Sequence, residues 1–412
     1  MQSQLWPAAR RVFIAALSLF VLTIVIGILN GLDLYLPDHD TLMAHVHAGT
    51  LGWITLSVSG VALLMFSGER MLADAEVKKA ANMAWGMIVA IYLYVLGGFL
   101  VGDRIPGDRI QRPVLGTLLF LVVIWYLVWL VRNYKADGNR SVARLGLLLA
   151  WVSLLIGAVL GVMLGIYTAK GEIPGLSDKT AASFADAHPP AMVIGFLILA
   201  AMAVIEWSFR GNRSWTKAGA TQMWLLFVAG VIVNVGFVSG QEEALLGPAN
   251  LLMIAGVVML VVRSWQQLSP AGWRGAGTGV YSRMSSLFLV VYLILGTVLI
   301  GLVISGSIDF DALTDGQEGL LLTFDHSMFV GVMTSLLLGV VATRTRGTSL
   351  GGIDKVVLWG LYVGLITFGI GLITVQAVPK RIGTPIMGTA LLIGIGAYVS
   401  MLVKGRQTAS HG

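Results

Sequence analysis

Histidine is the residue type in this chain best suited to bind a haem iron or another metal, and its distribution is regular. The six histidines are His39, His45, His47, His188, His326 and His411. The distance along the chain is 141 residues from His47 to His188 and 138 residues from His188 to His326. Neutral imidazole is a common ligand of haem iron and of divalent metals. The even spacing predicts repeated units that each contribute one such ligand, whereas His39 and His411 fall outside this pattern.

The sequence that follows two of these histidines repeats as well. Glycine and threonine recur at offsets of five, eight and thirteen residues from each histidine. The matching residues are Gly52, Thr55 and Gly60 after His47, and Gly331, Thr334 and Gly339 after His326. Together with the even spacing, this match predicts one domain built from three internal repeats, roughly residues 1–140, 141–275 and 276–412.

The absence of cysteine limits the chemistry of this chain. With no cysteine in the sequence, disulfides, thiolate-bound iron–sulfur clusters and covalent attachment of c-type haem are excluded. Any haem or metal must therefore be held by His, Met, Tyr or carboxylate side chains. Two imidazoles from facing helices can bind a haem iron from both sides without a covalent link. The sequence therefore favours haem b, with one or two groups bound.

His45 and His47 cannot both face the same partner. At about 100° per residue, two positions separated by two residues point roughly 200° apart around an α-helix. Because His47 matches His326 in the repeat, we favour His47 as the ligand on this segment. His45 is the alternative ligand on the same segment.

These histidines must be positioned by elements that cross a membrane. Hydrophobic residues make up 57% of the 412 residues and charged residues only 12%, whereas a soluble domain carries roughly 25% charged residues. Apolar runs of about 20 residues, the length at which an α-helix spans a bilayer, occur twelve times, which predicts an all-α polytopic membrane protein. The predicted spans are residues 12–31, 41–67, 80–102, 113–131, 145–168, 182–205, 218–240, 248–262, 284–306, 320–342, 356–377 and 383–403.

The positions of lysine and arginine predict the orientation of these spans. Of the 27 basic residues, 20 fall on the side of the two termini and 7 on the opposite side, and none falls within a predicted span. Because cytoplasmic loops are enriched in such residues, we predict a cytoplasmic-membrane protein with both termini in the cytoplasm. Lipid is then the main surrounding partner, and no nucleic acid is expected.

In this orientation the even-numbered spans begin at the outer face of the membrane. His45 and His47 lie in the first turns of span 2, His188 near the start of span 6 and His326 near the start of span 10. These four side chains therefore form one layer near the outer face. Polar side chains at such depth are costly unless they are paired or liganded, so the layer predicts a functional site.

Four segments resemble the catalytic subunit, subunit I, of the haem–copper oxidase superfamily, nearest to its cbb3-type and nitric-oxide-reductase branches. That family has twelve helices in three four-helix units, with histidines on helices 2, 6 and 10. Residues 43–49 (MAHVHAG) and 324–327 (FDHS) resemble its low-spin haem segments. Residues 188–190 (HPP) resemble the His-Pro pair of helix 6, and residues 378–381 (VPKR) resemble a basic segment that follows helix 11.

The resemblance implies roles for particular residues. His47 and His326 are implied as haem ligands, His188 as a ligand of a second metal, and Lys380 and Arg381 as the cations that hold the haem propionates. Such cations would form charge-assisted hydrogen bonds with the propionate carboxylates.

The chain departs from the family at the second metal site. Span 7 has no histidine over residues 222–240, and Met328 stands where the family has a second histidine on helix 10. The segment around His188 also lacks the tyrosine that some branches link to this histidine. The resemblance therefore implies a simplified or missing copper site. Copper or non-haem iron held by His188 with Glu242 and Glu243 is the alternative.

The sequence thus predicts a haem b protein of electron transfer, or of the binding or reduction of O2 or NO, as in a haem-dependent oxidoreductase of a respiratory chain. Its electron donor would be a partner subunit or quinol. A secondary transporter is an alternative, although such proteins usually show two six-helix halves. A scaffold subunit that keeps the fold without haem is the other alternative, and an absorbance spectrum separates these classes.

Overall fold

The computed structural model describes residues 3–67, 71–101, 109–136, 140–212, 214–308 and 312–404. Within these residues it has no β-strand, and twelve helices are long and apolar enough to cross a membrane. The predicted all-α polytopic membrane fold is therefore confirmed. The helices are α1 Trp6–Gly31, α2 His39–Ser67, α3 Asp74–Val101, α4 Gln111–Ala136, α5 Val142–Lys170, α6 Asp178–Arg210, α7 Lys217–Ser239, α8 Glu242–Arg263, α9 Gly277–Ile304, α10 Asp315–Arg346, α11 Gly352–Ile373 and α12 Ala377–Val403.

Local sequence explains where several helices begin. Asp38 precedes α2 and its carboxylate accepts a hydrogen bond from the Thr41 amide at 2.7 Å. Ser141, Ser177 and Thr216 cap α5, α6 and α7 in the same way. Such caps satisfy amide groups that have no partner within the helix. Since lipid offers no hydrogen bonds to the backbone, helices account for nearly every apolar run.

Every helix begins before its predicted span, and α4, α5, α6, α8 and α10 also end after theirs. α8 begins at Glu242, six residues before the predicted start at residue 248, and Pro248 lies inside the helix. Carboxylates in the first turn of a helix interact favourably with its dipole, so Glu242 and Glu243 belong to the helix rather than to a loop. Arg112 and Arg144, each one residue before a predicted span, likewise lie in the first turns of α4 and α5 and are buried.

The three helices that carry the histidine layer are also the three most buried. In α2, α6 and α10 the most apolar window is 89%, 67% and 78% buried, whereas no other span exceeds 50%. Each of the three changes from α-helical to π-helical geometry and back again. The π-helical segments are Ala48–Thr55, Ala191–Leu197 and Ser327–Thr334. Such segments are rare and occur frequently at functional sites.

The chain divides into two compact units. Unit 1 contains Met1–Val12 and Val58–Val262, which includes α3 to α8. Unit 2 contains Phe13–Ser57 and Arg263–Gly412, which includes most of α1, the first part of α2 and all of α9 to α12. The division runs through α1 and α2, whereas the predicted repeat units end in the loops between helices. His411 and the basic residues Arg70, Arg104, Arg213 and Arg406, used above to predict orientation, lie outside the described residues.

Aromatic side chains form the core of unit 1. The ring of Tyr126 on α4 stacks on Trp151 of α5 with 4.8 Å between centroids, and Trp151 meets Phe196 of α6 edge-on at 6.2 Å. The Tyr126 hydroxyl donates a hydrogen bond to the Ser59 carbonyl oxygen at 2.7 Å. Through these contacts α6, the helix that carries His188, packs against α5, and α5 packs against α4.

Close backbone contact and a buried polar cluster stabilise unit 2. A Cβ atom on Gly364 of α11 would lie 2.8 Å from the carbonyl oxygen of Gly383 on α12, so only small residues allow this approach. Asp354 at the start of α11 is fully buried. It accepts hydrogen bonds from the Tyr398 hydroxyl at 2.7 Å and from the Arg346 guanidinium at 3.3 Å. A carboxylate is therefore accommodated within the helices by direct partners.

Candidate functional site

A cavity of about 730 Å³ lies within unit 2. Its walls come from α1, α2, α10, α11 and α12 and are mostly apolar, and cofactor sites in proteins usually occupy about 300–1,000 Å³. Among the described histidines, His45 and His326 line this cavity, and His47 and His188 do not. The apolar lining includes Phe20, Ile24, Ile28, Phe329, Phe368, Leu372, Met387 and Leu391.

His45 is held in one orientation by the preceding helix. Its Nδ1 lies 2.9 Å from the carbonyl oxygen of Thr23 on α1. A carbonyl oxygen only accepts hydrogen bonds, so Nδ1 carries the proton, and Nε2 carries the lone pair that can bind a metal. Gly27 lies one turn along α1, where a Cβ atom would come within 3.2 Å of His45 Cε1. Glycine at this position therefore makes room for the imidazole.

His326 has the same tautomer by a different contact. Its Nδ1 donates to the carbonyl oxygen of Leu322 in its own helix at 2.7 Å, so Nε2 again carries the lone pair. The ring packs against Phe368 of α11 with 5.1 Å between ring centroids. Metal-bound histidines commonly donate their second ring N–H to a carbonyl, which fixes the orientation of the ring. His45 and His326 both meet this condition at the walls of one cavity.

His47 has a similar contact but a different direction. Its Nδ1 donates to the carbonyl oxygen of Met43 at 2.8 Å, and its side chain is absent from the cavity lining. The predicted opposition of His45 and His47 around α2 therefore holds, and the structure brings His45 rather than His47 together with His326. The choice between them depends on which face of α2 meets α1, and the repeat match does not supply that information.

The π-helical segments define the register of the repeat. His47 and His326 each lie one residue before their segment, which begins at Ala48 or Ser327. His45 and His188 each lie three residues before theirs, since the segment in α6 begins at Ala191. By this register His188 corresponds to His45, whereas the spacing along the chain paired His188 with His47.

His188 belongs to unit 1 and is not among the residues that line the cavity. Its Nδ1 donates to the carbonyl oxygen of Gly157 on α5 at 3.0 Å. Within the part of the chain that the structure describes, no three or more His, Cys, Asp or Glu side chains come together as a metal site. Glu242 and Glu243 therefore do not join His188 in a three-ligand group.

Lys380 and Arg381 share a partner that the sequence did not indicate. The Lys380 ammonium lies 2.6 Å from one carboxylate oxygen of Asp33, and Arg381 Nε donates to the other at 2.9 Å. Asp33 and Lys380 line the cavity, and Arg381 is not among its lining residues. Hydrogen bonds from Lys380 and then Arg381 hold the pKa of the Asp33 carboxyl below its ordinary value. Of the two cations predicted to hold propionates, Lys380 thus lines the cavity, and both are already paired with a carboxylate.

Asp33 adopts an unusual backbone conformation in the connection between α1 and α2. Its φ angle is 56°, in the left-handed region that aspartate adopts more readily than most residues. The partners Asp33 and Lys380 are 347 positions apart in the sequence, so no local pattern predicts their contact. Further carboxylates line the cavity from α10, namely Asp315, Glu318 and Asp325.

Trp53 and Thr334 connect α2 to α10 at the wall of the cavity. The indole Nε1 of Trp53 donates to the Thr334 hydroxyl oxygen at 2.9 Å. The indole also stacks on Phe20 of α1, with 4.9 Å between ring centroids and 9° between planes. The repeat match singled out Thr334, but nothing in the sequence indicated its partner.

No protein-family model matches this chain, and no curated protein is significantly similar to it. The chemistry of the site therefore rests on its geometry. Two imidazoles of fixed tautomer line one largely apolar cavity together with Lys380 and with four carboxylates, Asp33, Asp315, Glu318 and Asp325. Imidazole nitrogens that keep a lone pair are metal ligands, and the Lys380 ammonium can pair with an anionic group.

Proposed function

We propose that this protein binds haem b in the cavity of unit 2, with His45 and His326 as the axial ligands, and that it transfers electrons within the membrane. The observation that carries the proposal is that these two imidazoles line the same cavity with Nε2 as the metal-binding nitrogen. In this respect the site resembles the low-spin haem site of haem–copper oxidase subunit I, with His45 in place of His47 on the second helix.

The residues of the cavity fit a haem. Its apolar walls suit a porphyrin ring, and the glycines Gly27, Gly31, Gly49, Gly319, Gly371 and Gly388 line it without side chains. Two neutral imidazoles are the usual donors for a non-covalently bound b-type haem. Lys380 offers an ammonium group at the edge, where a propionate could share it with Asp33 or replace Asp33. A bound haem would supply one-electron transfer.

The ligand set favours electron transfer over gas chemistry at this site. When both axial positions are taken by imidazole, no position remains for O2 or NO on the same iron. Binding or reduction of such a gas would need a second centre, for which His188 in unit 1 is the remaining histidine candidate. We infer quinol or a partner subunit as the electron donor.

The charge distribution supports a location in the cytoplasmic membrane with both termini inside. His45 lies in the second turn of α2 and His326 lies about three turns into α10, and both helices begin on the side that carries few basic residues. By the positive-inside rule this side faces outward. The haem would then lie nearer the outer face.

The haem content of the purified protein tests this function. The full chain is produced in haem-replete cells and purified in detergent, and its haem is extracted and identified as a pyridine complex. We expect about one haem b per chain and a six-coordinate low-spin spectrum. A preparation without a Soret band would overturn the proposal and favour a transporter or a scaffold subunit.

A further inference from the structure

Trp53 and Thr334 occupy matching places below the two histidines that line the cavity. Trp53 follows His45 by eight residues, and Thr334 follows His326 by eight residues. The bond between them therefore joins α2 and α10 at the same distance along each helix from the imidazoles.

Both partners are held firmly. The side chains of Trp53 and Thr334 are at most 1% exposed. The Thr334 hydroxyl donates to the carbonyl oxygen of Phe329 at 2.8 Å, which leaves its oxygen lone pair directed at the indole N–H. The stacking of Trp53 on Phe20 fixes the plane of the indole. Since a buried donor or acceptor left without a partner is costly, this arrangement tolerates little relative movement of α2 and α10.

A second threonine in unit 2 provides a natural comparison. Thr55 ends the π-helical segment of α2 as Thr334 ends that of α10. The Thr55 hydroxyl donates to the carbonyl oxygen of Thr50, five residues earlier, at 2.9 Å, as Thr334 does to Phe329. The described hydrogen bonds of Thr55 include no tryptophan. The two threonines thus share the local bond and differ in the contact between helices.

We propose that the Trp53–Thr334 hydrogen bond is a positioning contact that sets the distance between His45 and His326, and so decides whether both can bind one iron. The proposal rests on the haem function proposed above. Imidazole ligation from both sides needs a defined gap between the two Nε2 atoms. Each imidazole is already fixed through Nδ1, His45 to Thr23 of α1 and His326 to Leu322 of its own helix. A movement of α2, which carries His45, relative to α10 therefore changes the gap.

The test compares three threonine variants in the full-length protein. Thr334→Val removes both hydrogen bonds of the hydroxyl, Thr334→Ser retains them, and Thr55→Val removes the matching local bond alone. The readout is the fraction of reduced haem that binds carbon monoxide, because this gas needs an open axial position, together with the low-spin electron paramagnetic resonance signal. We expect Thr334→Val to raise the CO-reactive fraction about two- to tenfold, the range for losing one buried hydrogen bond. Thr334→Ser and Thr55→Val should stay near the parent value.

Trp53→Phe removes the same bond from the other side and keeps an aromatic ring against Phe20. It should reproduce the effect of Thr334→Val, and it provides a readout if the valine variant does not accumulate. Equal CO reactivity in the parent, Thr334→Val and Trp53→Phe would overturn the positioning role while leaving haem binding intact. A parent protein that contains no haem would instead overturn the proposed function.

Discussion

His45 and His188 make the same contact with the helix that precedes them. Each donates from Nδ1 to a backbone carbonyl, of Thr23 in one case and of Gly157 in the other. In each case the imidazole also lies against a glycine four residues further along, Gly27 or Gly161. The contact therefore recurs in two units of the chain, and the copy with His45 lines the cavity of unit 2.

This pair of glycines allows a matched substitution. Gly27→Val would push a side chain against His45 and displace it from the cavity, and overpacking of this kind costs roughly 1–3 kcal/mol. We expect most of the haem to lose its six-coordinate spectrum, measured by absorbance of the purified protein. Gly161→Val is the control, since a Cβ atom there would lie 2.9 Å from His188 Cε1. If the Gly161 variant changes the haem spectrum as strongly as the Gly27 variant, the site does not depend on His45 in the proposed way.

His188 itself should be dispensable for the haem of unit 2. His188→Ala removes the Nδ1 hydrogen bond to Gly157 but no side chain of the cavity, so haem content and the low-spin spectrum should match the parent. Any reaction with O2 or NO should be reduced if His188 holds a second centre. If His188→Ala loses the haem and His326→Ala retains it, the axial ligand lies in unit 1 and the assignment to unit 2 is wrong.

Asp33 should compete with the ligand for Lys380 and Arg381. Asp33→Asn leaves the two cations to a propionate, so we expect haem retention during dilution to increase, by at most about fivefold for an exposed ion pair. The same charge change in an exposed residue of unit 1, Asp186→Asn, is the control. Weaker haem retention in Asp33→Asn would show that Asp33 closes the cavity edge rather than competing there.

Because the pKa of Asp33 is lowered, its carboxylate stays ionised and competes with a propionate over a defined pH range. A carboxyl whose pKa is depressed in the folded state contributes stability above its ordinary value, here 3.8, and loses it as the pH falls through the lower folded value. The effect of Asp33→Asn should therefore be constant between about pH 5 and pH 8. A change in its size within that range, measured by haem retention, would exclude Asp33 ionisation as the cause.

The absence of cysteine makes the topology directly testable. Ser214→Cys precedes α7 and Gln241→Cys precedes α8, at opposite ends of α7. With cytoplasmic termini, a membrane-impermeant maleimide should label Gln241→Cys on intact cells and Ser214→Cys only after permeabilisation. The reverse pattern would invert the orientation and place the cavity nearer the cytoplasm.

The sequence predicted the number of helices because apolar runs of bilayer length leave a strong signal in a single sequence. It did not predict helix ends where polar residues continue the helix, as at Glu242. It also did not predict the π-helical segments, because a pattern of 3.6 residues per turn describes them poorly and packing against neighbouring helices determines them. The match to Thr55 singled out Thr334. The hydrogen bond that Trp53 donates to Thr334 could be identified only from the structure.

Three residues that the sequence singled out, His45, His326 and Lys380, line one cavity. Their role in binding haem stays a prediction. Helical geometry showed that His45 and His47 point apart, but the choice between them depends on the Thr23 carbonyl and on Gly27 in another helix. The pairing of Asp33 with Lys380 and Arg381 joins distant parts of the chain, and no local pattern reports such a contact.

The most direct test of the account compares the spin state of the haem in His45→Ala and His47→Ala, with His326→Ala as the reference for ligand loss. Absorbance and electron paramagnetic resonance spectra of the purified proteins distinguish six-coordinate low-spin iron from five-coordinate high-spin iron. We predict that His45→Ala and His326→Ala lose the low-spin signal or the haem itself, and that His47→Ala retains the parent spectrum. A low-spin spectrum that persists in His45→Ala and disappears in His47→Ala would contradict the account.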